Sequence, residues 1–129
     1  MRGFLCTWGI LLALVATTAV GYDEQGRFMR GGGAGSISCL QFTSDMVRAQ
    51  VAGGLHQPRG VAITDPYVMY VLGFQTGYNL AALRMFDLFA KWGDNPSDRA
   101  LFWINDWCQK NTSKVFDDGI VALALTLRE

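Results

Sequence analysis

The chain lacks most of what would assign it to a nucleic-acid, metal or hydrolytic class. No sign of charge dominates, with eleven Lys and Arg against eleven Asp and Glu in 129 residues. No basic stripe marks a nucleic-acid or anionic-membrane partner, and no acidic block marks a disordered tail. Histidine is nearly absent. His56 is the single one, in a polar loop beside Pro58 with no Ser, Cys or carboxylate constellation evident around it, which argues against a triad. One histidine and few cysteines make a poor metal set. Asp94-Asn95-Pro96-Ser97-Asp98 has only part of a calcium-loop spacing, without the central glycine or the terminal glutamate. The sequence therefore reads as non-enzymatic and cofactor-free, with no nucleic-acid partner and no metal.

Long apolar runs are also missing. Phe4 to Ala16 is about 13 residues, too short to span a bilayer. It follows Met1-Arg2-Gly3 and precedes small residues at Thr17, Ala19 and Gly21, as in a secretory signal peptide of residues 1–19, cut after Ala19 or after Gly21. A cleaved leader places the product in the periplasm, or outside the cell if the source is not Gram-negative. Its loss removes Cys6, Trp8 and Arg2, leaving a nearly neutral chain with Cys39 and Cys108. In an oxidising compartment these two are expected to pair, against the rival readings of two free thiols or a metal pair. Closing a loop of about 70 residues would remove roughly 4 kcal/mol of unfolded-state entropy.

The remaining chain divides into a glycine-rich, flexible N-terminus over residues 22–37 and one helical domain over 38–129. Thr43 or Ser44 is placed to cap a helix through Met46, Val47 and Gln50 that Gly53-Gly54 ends, and Leu55 to Ile63 reads as a loop. Thr64-Asp65-Pro66 then starts a central helix to about Ala82, apolar around most of its circumference. Gln75, Asn79, Arg84 and Asp87 interrupt its apolar stretch and argue against stable membrane insertion. Gly73 and Gly77, one turn apart, predict a flat face against which another backbone packs closely. Leu83 to Trp92 adds a turn or short helix.

Asn95-Pro96 opens a third helix, with Leu101, Ile104 and Cys108 on one stripe and Trp103 and Trp107 on the next. The two tryptophans are expected to share a face with Tyr or Phe of the central helix, as core or as a partner-binding patch. Asn111-Thr112-Ser113, which also matches a glycosylation sequon, ends that helix and caps a last one carrying Phe116, Ile120, Leu123 and Leu127. Asp117-Asp118 suits the dipole at its first turn. The expected fold is all-α, a small orthogonal bundle of about four helices pinned by one disulfide.

The leader, Cys39-Leu40-Gln41-Phe42 and the Cys-x7-Phe from Cys108 to Phe116 resemble the HdeA/HdeB family of small periplasmic proteins. Tyr70-x-x-Gly73-Phe74-x-x-Gly77-Tyr78-Asn79 and Trp103-Ile104-x-x-Trp107-Cys108 look like its larger relatives, over roughly Ser38 to Leu127. The resemblance implies an acid-stress chaperone, a homodimer near neutral pH that opens in strong acid and binds unfolded clients. Tyr70, Phe74, Tyr78, Trp103 and Trp107 would then be the candidate partner-binding aromatics. The segment Gly73-Phe74-Gln75-Thr76-Gly77-Tyr78 is also similar to the Tai-type immunity proteins, which implies instead the neutralisation of one type VI secretion effector.

Overall fold

The computed structural model describes residues 32–81 and 87–128. The expected signal peptide, the segment 22–31 and part of the Leu83 to Trp92 stretch lie outside the described residues. Four α-helices follow one another: α1 (Cys39–Val51), α2 (Pro58–Ala81), α3 (Pro96–Lys110) and α4 (Phe116–Leu127), with short 3-10 turns at Gly33–Ser36 and Ala90–Trp92. There is no strand among the described residues, so the protein is a small all-α bundle. None of the described helices is long and apolar enough to cross a membrane.

The helix starts differ from those expected, and each shift has a local cause. α1 begins at Cys39 because the Ser38 hydroxyl accepts the Gln41 N–H at 3.2 Å, which leaves Thr43 and Ser44 inside the helix. Its end falls where expected. Gly53 and Gly54 adopt φ of +109° and +97°, backbone that glycine enters without strain, and the Gly54 N–H returns to the Ala49 carbonyl at 2.9 Å. α2 starts at Pro58, not at Thr64-Asp65-Pro66, and runs through Pro66. Proline at the first position forfeits no helical bond, while Pro66 deprives only the carbonyl of Ala62, whose residue is exposed to water. Thr64 spends its hydroxyl on the Gly60 carbonyl at 3.1 Å rather than on a cap. α4 is capped at Val115, not by Thr112 or Ser113, and the Val115 N–H donates to Asp118 Oδ2 at 3.4 Å.

Order also begins earlier than expected. Gly33–Ser36 forms a turn seated on α2 and α4, and Gly35 is buried so closely on the Tyr70 ring that a side chain there would collide with it. Two backbone bonds extend this seam. Cys39 N–H donates to the Lys114 carbonyl and Phe116 N–H to the Ile37 carbonyl, both at 2.8 Å, so the segment before α1 is tied to the α3–α4 connection.

The core is the inner stripe of each helix. Phe42, Met46 and Ala49 of α1 meet Tyr67 and Val71 of α2, Leu101, Ile104 and Cys108 of α3, and Phe116, Ile120 and Leu123 of α4. Phe42 and Phe116 pack edge to face at 4.6 Å, Tyr67 joins both at 4.8 and 5.1 Å, and Tyr70 adds an edge to Phe116 at 5.9 Å. Such contacts contribute about 0.5–1.5 kcal/mol per pair beyond burial alone. Cys39 and Cys108 are bonded, with both residues fully buried. The bridge joins the first residue of α1 to the last turn of α3.

Candidate functional site

α2 is largely apolar, yet among the described residues only one of its faces is covered. Gly60, Thr64, Tyr67 and Val71 point inward. Met69 is 61% exposed, Leu72 39% and Leu80 61%, and all stand on the outward face with Val61 and Thr76. Gly73 and Gly77 lie there too. The expectation that they mediate close helix packing is not met among the described residues, because a methyl group added at either would find nothing within 4 Å. The expected crossing occurs elsewhere. A Cβ on Gly119 of α4 would stand 2.7 Å from Ile104 Cγ2 and 3.3 Å from the Trp107 ring, so α3 and α4 cross tightly there, and a Cβ on Gly60 of α2 would collide with the Gly54 carbonyl and stand 3.2 Å from that of Ala49 in α1.

The inward face of α2 carries two phenols, one turn apart, each hydrogen-bonded to a carboxylate on another helix. Tyr67 Oη donates to Asp45 Oδ2 of α1 at 2.7 Å, and Tyr70 Oη donates to Asp117 Oδ1 of α4 at 2.7 Å. Asp45 also accepts Gln41 Nε2 at 3.0 Å and pairs with Arg48 Nη1 at 2.7 Å. Asp117 is buried, at 4% exposure. Burial first, and then the Asp45 carboxylate, push the Tyr67 phenol well above the usual tyrosine range.

The polar residues of α2 that argued against membrane insertion hold the returning chain. Asp87 Oδ1 accepts Gln75 Nε2 at 3.1 Å, Asn79 Nδ2 at 3.0 Å and the Phe89 N–H at 3.2 Å, while Asn79 Oδ1 accepts the Leu88 N–H at 2.9 Å. The Gln75 and Asn79 bonds, then the Phe89 amide, hold the Asp87 carboxyl below the ordinary aspartate value.

The five candidate aromatics do not form one patch. Tyr70 joins the core knot, and Phe74 and Tyr78 stack on each other at 6.1 Å further along α2. Trp103 and Trp107 make no ring contact with them among the described residues and instead line a cavity of about 240 Å³ with Asp106 and Lys110. His56 has a partner that its neighbours in sequence do not reveal, since its Nε2 lies 3.2 Å from Asp98 Oδ2 on α3. Asn111 donates its amide to the Trp107 carbonyl at 2.8 Å and ends α3, so the sequon side chain serves as a helix cap. No His, Cys, Asp and Glu grouping among the described residues could hold a metal ion.

Sequence reasoning missed Asp45, Asp117 and Tyr67. The available signal was Tyr67-x-x-Tyr70, a pair of hydroxyls at helical spacing on an otherwise apolar inner stripe, which requires polar partners once buried. No family model, no curated protein and no solved structure matches this chain.

Proposed function

We infer that the chain is a non-enzymatic protein of the periplasm, an HdeA-like acid-stress chaperone that binds unfolded clients. The observation that carries this reading is α2, a largely apolar helix whose outward face, with Met69, Leu72 and Leu80, is exposed. An exposed apolar face of this kind is what a protein-binding surface uses. Full protonation of the carboxylates carries the leaderless chain from near neutrality to roughly +11, and self-repulsion favours opening.

The test is light scattering of acid-labile clients brought to pH 2–3 with and without the protein, beside the double variant Met69→Glu, Leu72→Glu. Protection by the native chain and its loss in the variant are expected. Clients that aggregate equally fast with the native chain present overturn the chaperone reading.

The alternative, a periplasmic immunity protein, is favoured by the outward α2 face being exposed without any opening step. A tight neutral-pH complex with a single cell-wall amidase, and no protection of acid-denatured clients, would decide for it.

A further inference from the structure

The outer side of α3 carries a second surface, separate from the exposed face of α2. Trp103, Asp106, Trp107 and Lys110 follow at helical spacing and line a shallow, open cavity of about 240 Å³. The six-membered edge of Trp107 lies over Gly119, 3.3 Å from where a Cβ would stand. Both tryptophans are half-buried, and neither indole N–H has a protein acceptor among the described residues. Asp106 precedes Lys110 by four residues, the order that favours an ion pair on a helix, yet the two are not paired. The cavity thus combines aromatic surface, two indole donors, one carboxylate acceptor and one ammonium donor, and none of these polar groups has a partner among the described residues.

These groups specify their ligand. One carboxylate and one ammonium give the rim no net charge, which disfavours phosphates, nucleotides and polycations. Aromatic surface selects a ligand with an apolar face, and the polar groups around it select one with donors and acceptors along its edge. The volume lies below the ordinary range for drug-sized ligands and holds a single ring. We propose that Trp103, Asp106, Trp107 and Lys110 form a binding site for a neutral pyranose ring. The C–H face of the sugar lies on the indoles, Asp106 accepts hydroxyl protons, and Lys110 with the indole N–H groups donates to hydroxyl oxygens. With four contacting side chains and an open mouth, the dissociation constant is on the order of 1 mM for a monosaccharide.

The experiment is a tryptophan-fluorescence titration of the full chain with glucose, N-acetylglucosamine and a soluble dextran. Saturation in the millimolar range is expected. Asp106→Asn should raise the half-saturation concentration about tenfold while leaving the melting temperature unchanged, because Asp106 is exposed and has no partner among the described residues. Lys110→Met should act in the same direction. Tighter binding of dextran per ring assigns a chain-borne sugar, and equal binding per ring a free one. A linear response to all three probes up to about 100 mM overturns the proposal. So does an Asp106→Asn variant that binds as well as the native chain, or saturation by leucine or tetramethylammonium in place of the sugars.

Discussion

Replacing glycine by alanine should have opposite signs at different positions of this bundle. Gly73 and Gly77 sit inside α2 with open space where a Cβ would stand, and neither has a backbone that excludes alanine. Alanine in a helix interior is favoured over glycine by about 1 kcal/mol, so each substitution should stabilise by about that amount and the pair by about 2. In a domain of this size 1 kcal/mol moves the melting temperature by roughly 4–8 °C, and the double variant should melt about 8–16 °C higher. Gly119→Ala brings the same propensity term to a site where the new methyl meets Ile104 Cγ2 at 2.7 Å and the Trp107 ring at 3.3 Å. Ile104 is fully buried, so it does not yield cheaply. Overpacking costs about 1–3 kcal/mol, and the net change is a loss of up to about 2 kcal/mol. Urea denaturation at neutral pH, followed by circular dichroism, measures all three. A Gly73→Ala, Gly77→Ala double variant less stable than the native chain would refute the open outward face, and a stabilised Gly119→Ala the tight α3–α4 crossing.

Replacing Cys39 and Cys108 together by alanine should cost about 4 kcal/mol, since the bridge closes a loop of 69 residues, and the urea midpoint should fall accordingly. Tyr70→Phe removes a 2.7 Å bond to the buried Asp117 and should destabilise by about 1.5–3 kcal/mol in the same assay, whereas an unchanged midpoint would detach that bond from stability. The Asp87 carboxyl is held below its unfolded value, so its contribution is present above the unfolded value and is lost as pH falls through the folded one; Asp87→Asn should flatten the acid limb of a stability–pH curve below about pH 4. Tyr67 is shifted the other way. Its stabilisation is complete below about pH 10 and fades at higher pH, so Tyr67→Phe should reduce alkaline sensitivity, and phenolate absorbance should show that Tyr67 in the native chain resists ionisation until unfolding.

The elements that sequence made legible are those with local grammar. Pro96 and Gly53-Gly54 mark helix ends by backbone chemistry alone, and Leu101, Ile104 and Cys108, or Phe116, Ile120 and Leu123, mark inner faces by spacing. α2 defeats both signals. Its start was misplaced because Thr64-Asp65-Pro66 is a better local signal than Pro58, yet packing of residues 58–64 outweighs one proline in the helix interior. Its faces could not be assigned because a helix apolar all round has no periodicity to say which side is buried, and so Gly73 and Gly77 were placed against a neighbour. The Tyr67–Asp45 and Tyr70–Asp117 bonds span 22 and 47 residues, and no local pattern encodes them.

The distribution of ties determines which helix can let go. The disulfide joins α1 to α3, and Gly119 brings α4 onto α3 at a contact no side chain can enter. The backbone bonds at Ile37 and Cys39 fasten the head of α1 to the α3–α4 connection. α1, α3 and α4 are therefore linked by a covalent bond, a tight crossing and two backbone bonds, none of which titrates in acid. α2 is held by the apolar core, by the close approach of its Gly60 to the Gly54 and Ala49 carbonyls, and by the two phenol–carboxylate bonds. On the proposed reading, self-repulsion of the fully protonated chain frees α2, which neither the bridge nor the tight α3–α4 crossing restrains, and adds its inner aromatic face to the outer one already exposed. α1, α3 and α4 keep the complementary surface in register, so α2 has a template to close upon when neutral pH returns. Reduction of the disulfide should then impair recovery after an acid pulse far more than it alters client binding during it.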